Sequence, residues 1–107
     1  MKYDKLARDK VPEVIKQRGG VPITHVASAD EYLGKLKEKL KEETDEFLKD
    51  CGEEELADIL EVIYAFCDYL QIEREELEFT RKRKVEERGG FRKRIILDET
   101  RENSSHR

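Results

Sequence analysis

Cysteine is scarce in this chain: Cys51 and Cys67 are the only two in 107 residues. They form no CxxC and no ligand-spaced pair. A disulfide framework is thereby disfavoured, and reduced thiols in a cytoplasmic protein are the expectation. Histidine is equally sparse. His25 and His106 are isolated, and neither cysteine has a paired base nearby in sequence, so no nucleophile triad is visible. Long hydrophobic runs are missing too. The longest apolar-rich stretch, Leu56–Ile72, is broken by Glu61 and Asp68 and is too short and too charged to span a bilayer. The first ten residues alternate charges without an apolar core, so no signal peptide is expected. No internal repeat or low-complexity tract is present. Apolar residues make up 36%, which is enough for one thin core and one domain over 1–107, and a core that a partner subunit would help to complete.

Charge, by contrast, is abundant at 45% of residues, with a net value of only -4. Its distribution is uneven. Residues 1–20 hold six basic and three acidic side chains, residues 30–61 thirteen acidic and five basic, and residues 81–94 eight basic and two acidic. A basic arm over 1–27 and a basic C-terminal segment thus flank an acidic centre. A plain nucleic-acid binder would not carry that centre. The pattern suits a site where a cation and an anion meet.

The periodicity predicts an all-α fold. Pro12 opens a short helix over Pro12–Arg18, which Gly19-Gly20 breaks. Ser28 followed by Glu31 reads as a capping box. Leu33, Leu36, Leu40 and Phe47 continue at helical spacing to about Asp50, with Gly52 as the left-handed stop. A second long helix over Glu53–Gln71 begins with three glutamates at the favourable end of its dipole. A linker this short forces an antiparallel hairpin. The second helix is apolar almost all round, with Glu61 and Asp68 forming a narrow polar face. One neighbour cannot cover it, so two hairpins are expected to make a four-helix bundle by homodimerisation, with a tetramer as the alternative. A third helix over Arg74–Glu87 offers some cover through Leu77, Phe79 and Val85. A short extended piece at Phe91–Leu97 and a flexible tail at 98–107 complete the expectation.

Five carboxylates stand out: Glu42, Glu43 and Glu46 on the first long helix, and Glu55 and Asp58 on the second. Glu43 borders the apolar stripe, about 20° from Leu36, and Glu46 lies about 60° to its other side. Both Glu46 and Asp58 are six residues from Gly52 and so sit at similar height. Carboxylates facing one another across a helix pair repel, and a hard divalent cation with oxygen ligands, Mg²⁺ or Mn²⁺, would relieve this. Solvated surface charge, or helical pairing such as Lys39–Glu43, is the competing reading.

The run Glu42-Glu43-Thr44-Asp45-Glu46, followed by Glu55-Leu56-Ala57-Asp58, resembles the EExxE…ExxD signature of the MazG-like all-α nucleoside triphosphate pyrophosphohydrolases. Lys5-Leu6-Ala7-Arg8-Asp9-Lys10-Val11-Pro12, and Arg88-Gly89-Gly90-Phe91 with Lys93-Arg94, resemble the flanks of its small phosphoribosyl-ATP pyrophosphohydrolase-like subgroup. The resemblance implies a helical dimer or tetramer that uses Mg²⁺ to hydrolyse the α–β phosphoanhydride, releasing pyrophosphate. It implies Glu43, Glu46, Glu55 and Asp58 as metal ligands and Glu42 as a supporting carboxylate. The eight residues between Glu46 and Glu55 are fewer than is usual in the family. Metal-activated water is the expected nucleophile, oriented or deprotonated by Glu42 or Glu46. Lys5, Arg8 and Lys10, with Arg81, Lys84, Arg88, Lys93 and Arg94, are candidates to bind phosphates. Arg8 and Arg88 lead because the family-like flanks contain them. Tyr64 and Phe66 are read as core, with stacking on a base as the alternative. A house-cleaning role against non-canonical nucleotides is what the resemblance suggests. Phosphoribosyl-ATP hydrolysis, a non-catalytic helical interaction protein and a nucleic-acid-binding module through residues 81–94 are the other readings.

Overall fold

A computed structural model describes residues 2–102. Four helices occur in order: α1 (Val11–Gln17), α2 (Ala29–Asp50), α3 (Glu53–Leu70) and α4 (Arg74–Arg88). Among the described residues there is no strand, so the fold is all-α. No helix is long and apolar enough to cross a membrane among those residues. The chain divides into two compact units, Met1–Arg74 and Glu75–Arg107.

The first unit is built on the α2–α3 hairpin. Ser28 Oγ accepts the Glu31 N–H at 3.3 Å, which starts α2. The reciprocal half of the expected capping box is not made. The Glu31 carboxylate instead meets His25 Nε2 at 3.0 Å. At the other end the turn differs by one residue from the expectation. Cys51, with φ 51° and ψ 34°, takes the left-handed position, and its N–H reaches the Phe47 carbonyl at 2.6 Å. Gly52 is extended, at φ -95° and ψ 167°, and serves as the N-cap of α3. The hairpin is antiparallel, since Tyr32 near the start of α2 meets Tyr69 near the end of α3, ring centroids 5.9 Å apart. Its seam holds Leu36, which is fully buried, and Val62; Cys67, elsewhere on α3, is also buried. Arg74 closes the unit by setting its guanidinium 4.0 Å from the centre of the Tyr64 ring. That cation–π contact occupies the ring face considered above for a base.

α1 begins at Val11, one residue before the expected start, with Pro12 in its first turn. It ends where Gly19 adopts φ 86°, a conformation open to a residue without a β-carbon. α1 has no buried residue.

In the second unit α4 is tied along its own surface by Glu78–Arg81 and Arg83–Glu87 pairs. It ends as Gly89 N–H bonds the Val85 carbonyl at 2.7 Å. Phe79 is 70% exposed and no residue of α4 is buried. The expected extended piece at Phe91–Leu97 is corrected at its start. Arg94, at φ 56°, donates its N–H to the Phe91 carbonyl at 3.1 Å, so residues 91–94 turn. Neither helix nor strand follows up to residue 102. The remainder of the expected tail, 103–107 with His106, lies outside the described residues.

Candidate functional site

The acidic residues stand on the C-terminal half of α2 and the first turns of α3, joined by Cys51-Gly52. Heading α3 with Glu53, Glu54 and Glu55 places anionic groups where four backbone N–H groups lack helical partners. Glu55 folds back over the turn. Its Oε2 lies 2.8 Å from where a Gly52 β-carbon would be, so glycine at 52 leaves the space this carboxylate occupies.

Glu43 is drawn into the hairpin. Its side chain is only 14% exposed, in keeping with its place about 20° from buried Leu36 on the α2 wheel. Lys39 Nζ stands 3.3 Å from Glu43 Oε1 and 3.3 Å from Glu42 Oε1. Lys5 Nζ from the N-terminal arm adds a second cation to Glu42 at 3.4 Å. Burial works against ionisation of Glu42, but Lys39 and then Lys5 outweigh it and hold the carboxyl below its ordinary value. On α3, Asp58 Oδ1 accepts from Arg8 Nη2 at 2.6 Å, a charge-assisted bond across 50 residues of sequence. The arm is anchored a third time where Lys35 Nζ donates to the Asp4 carbonyl at 2.6 Å.

Glu46 is exposed, whereas Glu43 is mostly covered. Glu46 shares with Tyr3, Lys5, Glu42 and Lys49 the wall of an open cleft of about 470 Å³ between the arm and α2. The structure therefore joins Glu42 and Glu43 through Lys39, and brings Lys5 and Arg8 onto carboxylates of α2 and α3. It does not converge three or more of the Glu and Asp side chains on one point, among the described residues. Lys10 caps α1 by its backbone and its side chain is exposed. Arg81 is held by Glu78 on its own helix, and Lys84, Arg88, Lys93 and Arg94 are exposed in the second unit.

Sequence reasoning treated Lys39 only as a helical partner of Glu43. Its i,i+3 spacing to Glu42 was the signal that it serves both. No local signal announces Arg8–Asp58, because the pair depends on how the arm crosses the hairpin.

All five candidate groups are carboxylates, the donor type a hard divalent cation takes, but among the described residues they do not gather into a group that could hold one. Three of the five, Glu42, Glu43 and Asp58, have the chain's own cations as counter-charges. Comparison with protein-family models, with curated proteins and with solved structures finds no match to this chain.

Proposed function

We propose that this protein is a Mg²⁺-dependent nucleoside triphosphate pyrophosphohydrolase acting as a homodimer. The observation that carries the reading is the meeting of the N-terminal basic arm and the acidic centre in one unit. Cationic Lys5 and Arg8 lie against the acidic residues of α2 and α3, so groups suited to phosphate and groups suited to a metal share one place. The EExxE…ExxD spacing adds the motif-level support. The reaction is cleavage of the α–β phosphoanhydride by water, giving a nucleoside monophosphate and pyrophosphate.

Glu43, Glu46, Glu55 and Asp58 are the residues that would hold the cation. Mg²⁺, or Mn²⁺ in its place, supplies charge neutralisation at phosphate oxygens and a lowered pKa for coordinated water. Glu42 or Glu46 accepts the proton of the attacking water. Lys5, Arg8 and Lys10 neutralise the phosphates. The dimer is supported by α3. Leu56, Leu60 and Leu70 are 51%, 46% and 54% exposed, on a face turned about 80–160° from the Val62 seam. An antiparallel pair of hairpins covers such a face.

The test is pyrophosphate release with Mg²⁺ from a panel of canonical triphosphates, modified triphosphates and phosphoribosyl-ATP. Release from at least one triphosphate is expected, and Glu43→Gln and Asp58→Asn are expected to abolish it while the protein stays helical and dimeric. Wild-type turnover in either variant would overturn the ligand assignment. Release from phosphoribosyl-ATP alone would move the activity to that substrate.

A further inference from the structure

We propose that residues 88–97 form a peripheral membrane-binding segment that holds the protein to anionic lipid bilayers. The segment lies wholly in the second unit, and its role is independent of the hydrolase reading.

From Arg88 to Leu97 the chain carries four cations, Arg88, Arg92, Lys93 and Arg94, and four large apolar residues, Phe91, Ile95, Ile96 and Leu97, with no acidic residue between them. The four apolar residues are 75–97% exposed. Their own unit offers them no interior, since no residue from 75 to 102 is buried. Large apolar side chains exposed together mark an interaction surface. The four cations have no ion-pair partner among the described residues, whereas Arg81 and Arg83 on α4 are engaged by Glu78 and Glu87. The backbone gathers the two kinds of side chain. Arg94, at φ 56°, donates its N–H to the Phe91 carbonyl at 3.1 Å. A turn closed in this way keeps the Cα atoms of its first and fourth residues within about 7 Å. Phe91 is thereby brought beside the start of the Ile95-Ile96-Leu97 run, with Arg92 and Lys93 at the tip between them.

This mixture selects the partner. The cations require an anionic one, and each Lys or Arg held near an anionic leaflet adds to the affinity. The apolar residues require hydrocarbon beneath that charge. Nucleic acid meets the first requirement only. Of the four apolar residues Phe91 alone has a ring to stack on a base, and three aliphatic side chains in succession have no use there. A bilayer interface meets both, its phosphate-bearing headgroups taking Arg and Lys while Phe91 and the aliphatic run enter the acyl boundary. Charge alone is screened by salt, and a small apolar group alone attaches only marginally, so the two signals hold the surface together.

The experiment is co-sedimentation of the full chain with phosphatidylcholine vesicles, with and without phosphatidylserine, at low and high salt, beside binding to a single-stranded oligonucleotide. The wild type is expected to sediment with the phosphatidylserine vesicles at low salt and to stay in solution with phosphatidylcholine alone. Arg92→Gln, Lys93→Gln and Arg94→Gln together should lower the partition coefficient about a hundredfold, each cation near the surface contributing about fivefold. Ile95→Ser with Ile96→Ser leaves the charge unchanged and should lower it by about tenfold. These positions are exposed, so the helical circular dichroism of each variant should match the wild type. The chain has no tryptophan, so Phe91→Trp introduces a single reporter, whose emission should shift to the blue on binding. The proposal is overturned if the wild type ignores phosphatidylserine vesicles at low salt, if the serine variant partitions like the wild type, or if the Trp emission does not move on binding. Tighter binding to the oligonucleotide than to vesicles, weakened by the glutamine variant alone, would make the segment a nucleic-acid contact and overturn it as well.

Discussion

Glu42 concentrates the electrostatics of the hairpin, because it answers to two lysines at once. Burial favours its neutral form, yet Lys39 and Lys5 outweigh that cost and its carboxyl is held low. In the unfolded chain both lysines disperse and the carboxyl returns to the ordinary glutamate value of about 4.3. The unfolded state then binds the proton more readily. The stability contributed is fully present above that ordinary value and is lost as pH falls through the depressed folded one. Denaturant unfolding between pH 3 and 7 is therefore expected to show a decline below about pH 4.5 that is shallower in Glu42→Gln. Equal slopes for the two proteins would remove Glu42 from the account. The effect is small, since Glu42 is 36% exposed and water screens the pair. At this scale the candidate site was partly legible in the sequence. Lys39–Glu43 follows from i,i+4 spacing, and Glu43 beside the apolar stripe follows from the helical wheel. The different exposure of Glu43 and Glu46 was not legible in full, because Glu46 lines a cleft whose other wall is the arm, and how the arm crosses the hairpin has no local signal.

The hairpin turn shows how an element ends for reasons a single residue does not reveal. Glycine is the cheapest occupant of the left-handed position, so Gly52 is the natural expectation from sequence. The chain instead uses Cys51 there and Gly52 one step later, at an extended N-cap over which the flexible Glu55 side chain folds. Cys51 is exposed and pays the steric cost of a β-carbon in a left-handed conformation. Cys51→Gly is expected to stabilise the protein by about 0.5–1 kcal/mol, the relief being partly offset by a more flexible unfolded chain. A raised denaturation midpoint checks it, and a lowered one would mean that the cysteine side chain contributes more than its backbone costs. The long helices themselves were legible, because eighteen or more residues of consistent period leave few alternatives. The extended reading of residues 91–97 failed at its start for a complementary reason. Phe91, Ile95, Ile96 and Leu97 suggest an extended piece, but no strand occurs among the described residues to hold it by pairing, and residues 91–94 close a turn instead.

Taken as a whole, the first unit is short of interior. Leu36, Val62 and Cys67 are its buried apolar residues, while three leucines of α3 stand about half exposed. Fully burying a leucine is worth about 1.5–3 kcal/mol, so Leu56, Leu60 and Leu70 together leave several kcal/mol available to association. In the homodimer proposed above, a second copy of the hairpin would cover that face and thicken the core in one step, which an isolated domain of this size gains from most. Leu60 is the residue to probe. It lies about 160° from Val62 around α3, so a charge there spares the α2 seam and strikes the open face. Leu60→Glu is expected to convert a dimer into a monomer that retains helical circular dichroism, read by sedimentation at tens of micromolar protein. If the wild type already sediments at 12.7 kDa under those conditions, the leucines have another occupant and the bundle is not formed by self-association. If Leu60→Glu stays dimeric, the contact uses a different face, and the acidic residues of the two hairpins would be arranged about a different axis.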